Sequence, residues 1–112
     1  MRASALILSL TLLAGCASGP AIDTRYSASG QSSRVQYVIL HYTSADLERS
    51  LDLLTNTEVS SHYLISDEAK PRVYRLVDEN RRAWHSGDSA WQGRTWLNAS
   101  SIGIEIVNPG YR

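Results

Sequence analysis

The chain has 112 residues, and its 11 Lys and Arg residues balance 11 Asp and Glu residues, so the formal net charge is zero. This length fits one small domain, and without a basic excess we expect no nucleic-acid partner. Hydrophobic residues make up 43% and charged residues 20% of the chain, proportions typical of a globular protein, which exclude a fibrous or wholly disordered chain.

Residues 1–15 are typical of an export signal. Arg2 gives a positive start, and the apolar run Ala5–Leu13 is about half the roughly 20 residues that a membrane-spanning helix needs. Leu13-Ala14-Gly15-Cys16 resembles the lipobox of bacterial lipoproteins. The resemblance implies that Cys16 becomes the lipidated first residue after cleavage and anchors the protein to a membrane. The alternative is a small buried cysteine.

The residue after the cysteine bears on the location of the protein. Lipoproteins that stay in the inner membrane carry Asp at that position, whereas this chain has Ala17. We therefore expect an outer-membrane lipoprotein that faces the periplasm.

Residues 16–33 are predicted to form the lipidated Cys16 and a flexible tether. The segment is rich in Ser, Ala and Gly and cannot bury enough apolar surface to fold. The folded part is expected over residues 34–112. Because the chain has a single cysteine, that part is held by its core without an internal disulfide.

The first predicted elements are a strand and a helix. Val35–Tyr42 is β-branched and aromatic with hardly a polar break, which predicts a central strand covered on both faces. Thr43–Asp46 offers a capping box, and leucines recur at helical spacing after it, which predicts an amphipathic helix of about three turns. These leucines are Leu47, Leu51 and Leu54.

Three more strands are predicted. Ser61–Ser66 and Arg72–Val77 flank a turn and should be antiparallel neighbours, whereas Asp78–Ser100 is a polar loop with three tryptophans. Ser101–Val107 alternates as a strand. The expected fold is α/β, with a mixed central β-sheet flanked by helices. Because one helix covers only one face of such a sheet, we expect the chain to be an N-terminal fragment of a larger domain, with the C-terminal helices missing, or a domain that has lost a helix.

Two residues stand out chemically. His41 ends the first strand, where ligands gather in open α/β sheets, so it suggests metal binding or proton transfer; the alternative is a structural histidine. Glu105 shares one strand face with Gly103 and Val107, opposite three isoleucines. This carboxylate is either a charge that protects an edge strand or a half-buried general base with a raised pKa.

Aromatic and imidazole groups form a second set of candidates. His62 opens the second predicted strand, and Trp84 and His85 lie in the long loop, where they suit recognition of a sugar or peptide. The alternative for the loop tryptophans Trp84, Trp91 and Trp96 is that they pin the loop to the core. The chain has no H-E-x-x-H, P-loop or G-x-G-x-x-G motif, which excludes the common zincin and nucleotide-binding classes.

Four segments, in this order and spacing, resemble the N-acetylmuramoyl-L-alanine amidases of the AmpD type: Val38–Thr43, Val59–Ile65, Arg82–Gly87 and Ser101–Ile106. The resemblance runs from about Arg34 to the last residue, and the lipobox points to the periplasmic lipoproteins of that family. It implies a fold shared with phage T7 lysozyme and peptidoglycan recognition proteins. It also implies hydrolysis of the amide between N-acetylmuramic acid and L-alanine in peptidoglycan or muropeptides, for cell-wall turnover or recycling.

The resemblance also implies a site. The family holds Zn²⁺ with two His and one Asp or Cys, and leaves a fourth position to water. By position His41 matches the first zinc ligand and Glu105 the catalytic residue that deprotonates the water. His62, Trp84 and His85 match positions that line the substrate groove.

The other zinc ligands and an oxyanion-stabilising Lys lie in the family beyond the position of Arg112. We therefore expect residues 34–112 to be the N-terminal part of an amidase domain, and the chain alone to be inactive. The alternative function is a non-catalytic, peptidoglycan-binding lipoprotein.

Overall fold

A computed structural model describes residues 19–111; the predicted signal peptide and Cys16 lie outside them. The chain divides into two units, Met1–Gly30 and Gln31–Arg112. In the first unit, residues 19–30 are exposed and form neither helix nor strand. Within residues 19–111, none of the helices has the length and apolar character of a membrane span.

The second unit contains a mixed sheet, an α-helix, a 3-10 helix and a small hairpin. The elements in chain order are β1 (Tyr37–Tyr42), α1 (Leu47–Asn56), β2 (Tyr63–Ile65), β3 (Val73–Arg75), β4 (Ala90–Trp91), β5 (Arg94–Thr95), the 3-10 helix (Leu97–Ser100) and β6 (Ser101–Ile106). The four longer strands form the sheet in the order β1-β6-β2-β3, and β4 pairs with β5. β6 is parallel to β1 and β2, and β3 is antiparallel to β2. The expected mixed sheet and the predicted antiparallel pair are confirmed.

β1 lies at the edge of this sheet, and β6 is central. Alternate β1 side chains, Val38, Leu40 and Tyr42, are 59%, 64% and 65% exposed. The prediction of a central strand covered on both faces is therefore wrong for the described residues, within which one face of β1 stays open. An apolar run shows that both faces suit burial, but it does not identify the partners that would bury them.

Helix α1 begins at Leu47 after Asp46, whose carboxylate accepts a hydrogen bond from the Arg49 backbone N–H at 2.9 Å. This contact satisfies one of the free N–H groups of the first turn. The predicted capping box starting at Thr43 does not form, because the Thr43 hydroxyl bonds to the backbone of Ala45 instead. Asp46 alone is the cap.

The helix packs on one face of the sheet through the predicted leucines. Leu54 is buried against Leu64 of β2 and Val107, which follows β6, and Leu47 and Leu51 pack at the margin of this core. Because side chains alternate along a strand, Val107 places Glu105 and Gly103 on the same, helix-facing side of β6. The core thus fixes the side of the sheet that carries the carboxylate.

The predicted loop 78–100 contains a hairpin that the sequence analysis did not identify. Gln92 and Gly93 connect β4 and β5 with φ angles of 48° and 78°, as in a type I′ turn. The sequence feature that could have predicted this hairpin is the Gln92-Gly93 pair, because glycine readily adopts the positive φ that such a turn requires. Trp84, Trp91 and Trp96 are 57%, 59% and 64% exposed, so the interpretation that they pin the loop to the core is wrong.

Candidate active site

His41 and Glu105 are neighbours across the sheet. They are register partners in the parallel pair of β1 and β6, so their side chains leave the same face of the sheet. β6 is hydrogen-bonded to strands on both sides, which makes the edge-strand interpretation of Glu105 wrong. The sheet therefore places the His41 imidazole beside the Glu105 carboxylate. Because β6 is central, protection of an edge strand does not explain the carboxylate.

A cavity of about 190 Å³ opens beside this pair, between α1, β6 and the segment around His85. Glu105 and His85 both line it, and Trp84 contributes an indole that is 57% exposed. Its remaining lining residues are Tyr42, Thr43, Ser50, Leu53, Leu54, Val59 and Ser60. The structure therefore brings Glu105 together with the adjacent residues Trp84 and His85, which are distant from it in the sequence.

Glu105 is half-buried in this wall. Burial raises the pKa of its carboxyl above the ordinary value of 4.5, and the neighbouring His41 opposes part of the rise. A carboxylate with a raised pKa binds a proton more readily than an exposed one. Its position and basicity suit a general base.

His85 forms contacts on both ring nitrogens. Its Nδ1 lies 3.2 Å from Nε2 of His41, and its Nε2 lies 3.0 Å from the Ser101 hydroxyl. Burial lowers the pKa of the His85 imidazole from 6.5 to about 4, and nearby basic groups, His41 first among them, add to this effect. The ring is therefore neutral at physiological pH.

His62 lies beneath the site and has no exposed surface. Its Nδ1 accepts the Gly103 backbone N–H at 3.0 Å, and its Nε2–H donates to the Arg81 carbonyl at 2.7 Å. Its own backbone N–H donates to the Gly103 carbonyl at 3.0 Å. In the described structure His62 supports β6 and does not line the cavity.

Two residues that the sequence analysis did not single out hold the loop and β6. The Asn98 side-chain oxygen accepts three hydrogen bonds, from the backbone N–H groups of His85 and Ser86 at 3.1 and 2.9 Å and from the Ser86 hydroxyl at 2.7 Å. The Arg34 guanidinium donates to four backbone carbonyls, those of Glu79, Asn98, Ala99 and Ser101. No motif marks either residue, because their partners are distant in sequence.

The described residues do not form a metal site. Among residues 19–111, no group of three or more His, Cys, Asp or Glu side chains is placed to hold a metal ion, whereas a catalytic zinc takes three protein ligands. His41 offers an imidazole donor of the right chemistry, but the part of the chain that is described does not complete the set.

A cavity with a half-buried carboxylate beside a histidine suits general acid–base chemistry. The family model described as N-acetylmuramoyl-L-alanine amidase matches residues 31–112, and the chain belongs to this family. It is 42% identical over 120 residues to N-acetylmuramoyl-L-alanine amidase AmiD of Escherichia coli, across 96% of this chain and 44% of AmiD. It is 48% identical over 48 residues to 1,6-anhydro-N-acetylmuramyl-L-alanine amidase AmpD of Haemophilus influenzae, across 43% of this chain and 25% of AmpD.

Solved structures agree with the fold. The complex of E. coli AmiD with anhydro-N-acetylmuramic acid-L-Ala-D-gamma-Glu-L-Lys matches with a TM-score of 0.70 and 45% identity, over 81% of this chain and 37% of that one. AmpDh3 of Pseudomonas aeruginosa with an anhydromuramic pentapeptide matches with a TM-score of 0.71 and 38% identity, over 82% and 41%. The chain spans less than half the length of these relatives. The predicted family and fold are confirmed.

Proposed function

We propose that this chain is the N-terminal part of an amidase domain that hydrolyses the amide between N-acetylmuramic acid and L-alanine in peptidoglycan or muropeptides. The observation that carries the proposal is the pairing of His41 with Glu105 beside the cavity. The name of E. coli AmiD and the muropeptide in its complex supply the substrate class.

Glu105 is the proposed catalytic residue. Its half-buried carboxylate holds the attacking water, takes a proton from it and returns that proton to the departing amine of L-alanine. The raised pKa favours proton acceptance, and Glu105 lines the cavity in which we propose that the muropeptide binds.

Zn²⁺ is the proposed cofactor, with His41 as one of its ligands. A zinc ion in such a site polarises the amide carbonyl and lowers the pKa of the attacking water. Residues 19–111 contain no complete group of three such ligands. What this chain's own residues supply is an imidazole donor and, one strand away, the carboxylate.

Substrate contacts are proposed for Trp84 and His85. Trp84 presents an exposed indole at the cavity, and His85 lines its wall. An indole stacks on the apolar face of a sugar ring or on a peptide side chain. His62, which the resemblance also places in the groove, supports its floor from below.

A hybrid protein tests the proposed amidase activity. In this AmiD hybrid, residues 31–112 replace the aligned segment of E. coli AmiD, so that AmiD supplies the rest of the domain. We expect it to bind zinc and to release peptide from anhydro-N-acetylmuramic acid-L-Ala-D-gamma-Glu-L-Lys. Glu105→Gln should lower turnover by about 100-fold or more with zinc retained, whereas His41→Ala should lose zinc. A folded, zinc-loaded hybrid without turnover would contradict the proposal.

Binding without hydrolysis is the second candidate function, favoured by the incomplete ligand set among residues 19–111. It predicts that the 112-residue chain binds the same muropeptide in the absence of zinc and leaves it intact. Calorimetric titration of the chain with the muropeptide, without zinc, separates the two functions. Binding without zinc, together with an AmiD hybrid that shows no turnover, would support the non-catalytic binding function.

We also propose that Cys16 carries a lipid anchor and holds the protein at the outer membrane, facing the periplasm. The support is the lipobox sequence and Ala17. The chain expressed in E. coli should sediment with outer membranes, and Cys16→Ser should release it to the soluble fraction. Equal distribution of the two forms would contradict the anchor.

A further inference from the structure

A chain of hydrogen bonds runs from the 3-10 helix to His41, and its direction is fixed at its far end. The Ser101 hydroxyl oxygen lies 2.6 Å from the Leu97 carbonyl oxygen, and Ser101 has no exposed surface. A carbonyl oxygen can only accept, so the single hydroxyl hydrogen points to Leu97. The Ser101 oxygen is left as an acceptor.

The next link sets the proton of His85. Its Nε2 lies 3.0 Å from the Ser101 oxygen, and because the serine hydrogen is already used, the imidazole must donate from Nε2. A neutral imidazole carries one N–H, so Nδ1 of His85 is left with a lone pair. The serine therefore selects one of the two neutral forms of this histidine.

The last link reaches His41. Nε2 of His41 lies 3.2 Å from Nδ1 of His85, and two facing lone pairs would repel, so Nε2 of His41 carries the hydrogen. Nδ1 of His41 is then the nitrogen free to bind a metal ion. The His85 ring lies directly against Gly103 of β6, in the place that a Cβ on this residue would occupy.

We propose that His85 is a positioning residue for His41. Through Ser101 and Leu97 it holds His41 in the form with hydrogen on Nε2, and so presents Nδ1 as the metal ligand. This role is additional to lining the substrate groove. It rests on the proposed function in one respect, because Nδ1 of His41 is the atom that would bind the proposed zinc ion. When an imidazole binds a metal through one nitrogen, a hydrogen bond from its other nitrogen fixes both the position of the ring proton and the orientation of the ring.

Long-range proton–nitrogen NMR spectra of the metal-free, histidine-labelled chain test the proposal at about pH 8, where an unperturbed imidazole is neutral. We expect the His41 nitrogen shifts to show hydrogen on Nε2 in the wild type. Ser101→Ala should move His41 toward a mixture of both forms. Ser100→Ala is the matched control, because the buried Ser100 hydroxyl has no hydrogen-bond partner in the described structure, and it should leave the form unchanged.

Hydrogen on Nδ1 of His41 in the wild type would overturn the proposal without any variant. If folded Ser101→Ala carried the His41 hydrogen on the same nitrogen as the wild type, the proposed influence of Ser101 on His41 through His85 would be wrong. Zinc added to the wild-type AmiD hybrid separates this proposal from the amidase: if zinc does not bind while the NMR result holds, the zinc assignment fails and the positioning role stands.

Discussion

Gly103 of β6 lies in contact with the imidazole of His85. A Cβ built on this glycine would fall within 3.0 Å of three ring atoms of His85, Cδ2, Cγ and Nδ1. Real Cβ atoms essentially never approach so closely. The bare Cα is therefore what allows the ring to reach both Ser101 and His41.

Gly103→Ala is expected to lower the free energy of unfolding by about 1–3 kcal/mol, because the added methyl group must displace a packed ring. Urea unfolding followed by circular dichroism measures the change. Gly30→Ala is the control, since a Cβ there meets nothing within 4 Å. Equal stability of Gly103→Ala and the wild type would show that His85 moves freely.

Glu105→Gln is expected to raise the unfolding temperature of the metal-free chain at about pH 8. Burial raises the pKa of this carboxyl, so the folded state favours the protonated acid. The resulting stability is present below the ordinary value of 4.5 and is lost as the pH rises through the folded-state pKa. Glutamine carries no charge and escapes that loss.

The pH dependence is the check on this prediction. The gain from Glu105→Gln should shrink toward about pH 4, where the acid is protonated in the folded chain. Thermal unfolding of both proteins at several pH values gives the comparison. A gain that does not change with pH would indicate a packing effect and contradict the electrostatic one.

His62→Ala is expected to destabilise the fold more than it weakens muropeptide binding. The substitution leaves the Gly103 N–H and the Arg81 carbonyl without their partner, and a buried unsatisfied group costs about 1–3 kcal/mol. Urea unfolding and calorimetric binding are measured on the same preparation. Unchanged stability with lost binding would instead place His62 in contact with substrate.

Trp84→Ala should raise KM of the AmiD hybrid by about 2- to 10-fold, with kcat little changed, because aromatic contacts contribute about 0.5–1.5 kcal/mol. Trp91→Ala is matched to it in exposure, at 59% against 57%, but Trp91 does not line the cavity with Glu105. Steady-state assays of both variants decide the point. Equal changes in KM for the two variants would contradict the proposed contact between Trp84 and the substrate.

Much of the fold is predictable because it depends on local pattern. The leucine spacing from Leu47 to Leu54 predicts α1, and the alternation of β6 predicts the face that carries Glu105. The edge position of β1 is not predictable, because the same apolar run suits either place in a sheet.

The site was predictable only in part. The order of the sequence segments, through the family resemblance, singles out His41 and Glu105, and strand register then makes them neighbours. The roles of Asn98 and Ser101 could not be predicted from the sequence, because their contacts with residues 85 and 86 depend on how the loop folds back on itself. Neither asparagine in the 3-10 helix nor serine at the start of β6 belongs to a motif that predicts these contacts.

The central position of β6 couples assembly of the site to folding of the sheet. Side chains alternate between faces, so a slip of one residue in the pairing of β6 with β1 would send Glu105 to the isoleucine face and turn Ile104 toward the helix. The same slip would bring a side chain to the place that Gly103 leaves open for His85. A chain with this strand misaligned would therefore lose its core and the pairing of Glu105 with His41 in the same event.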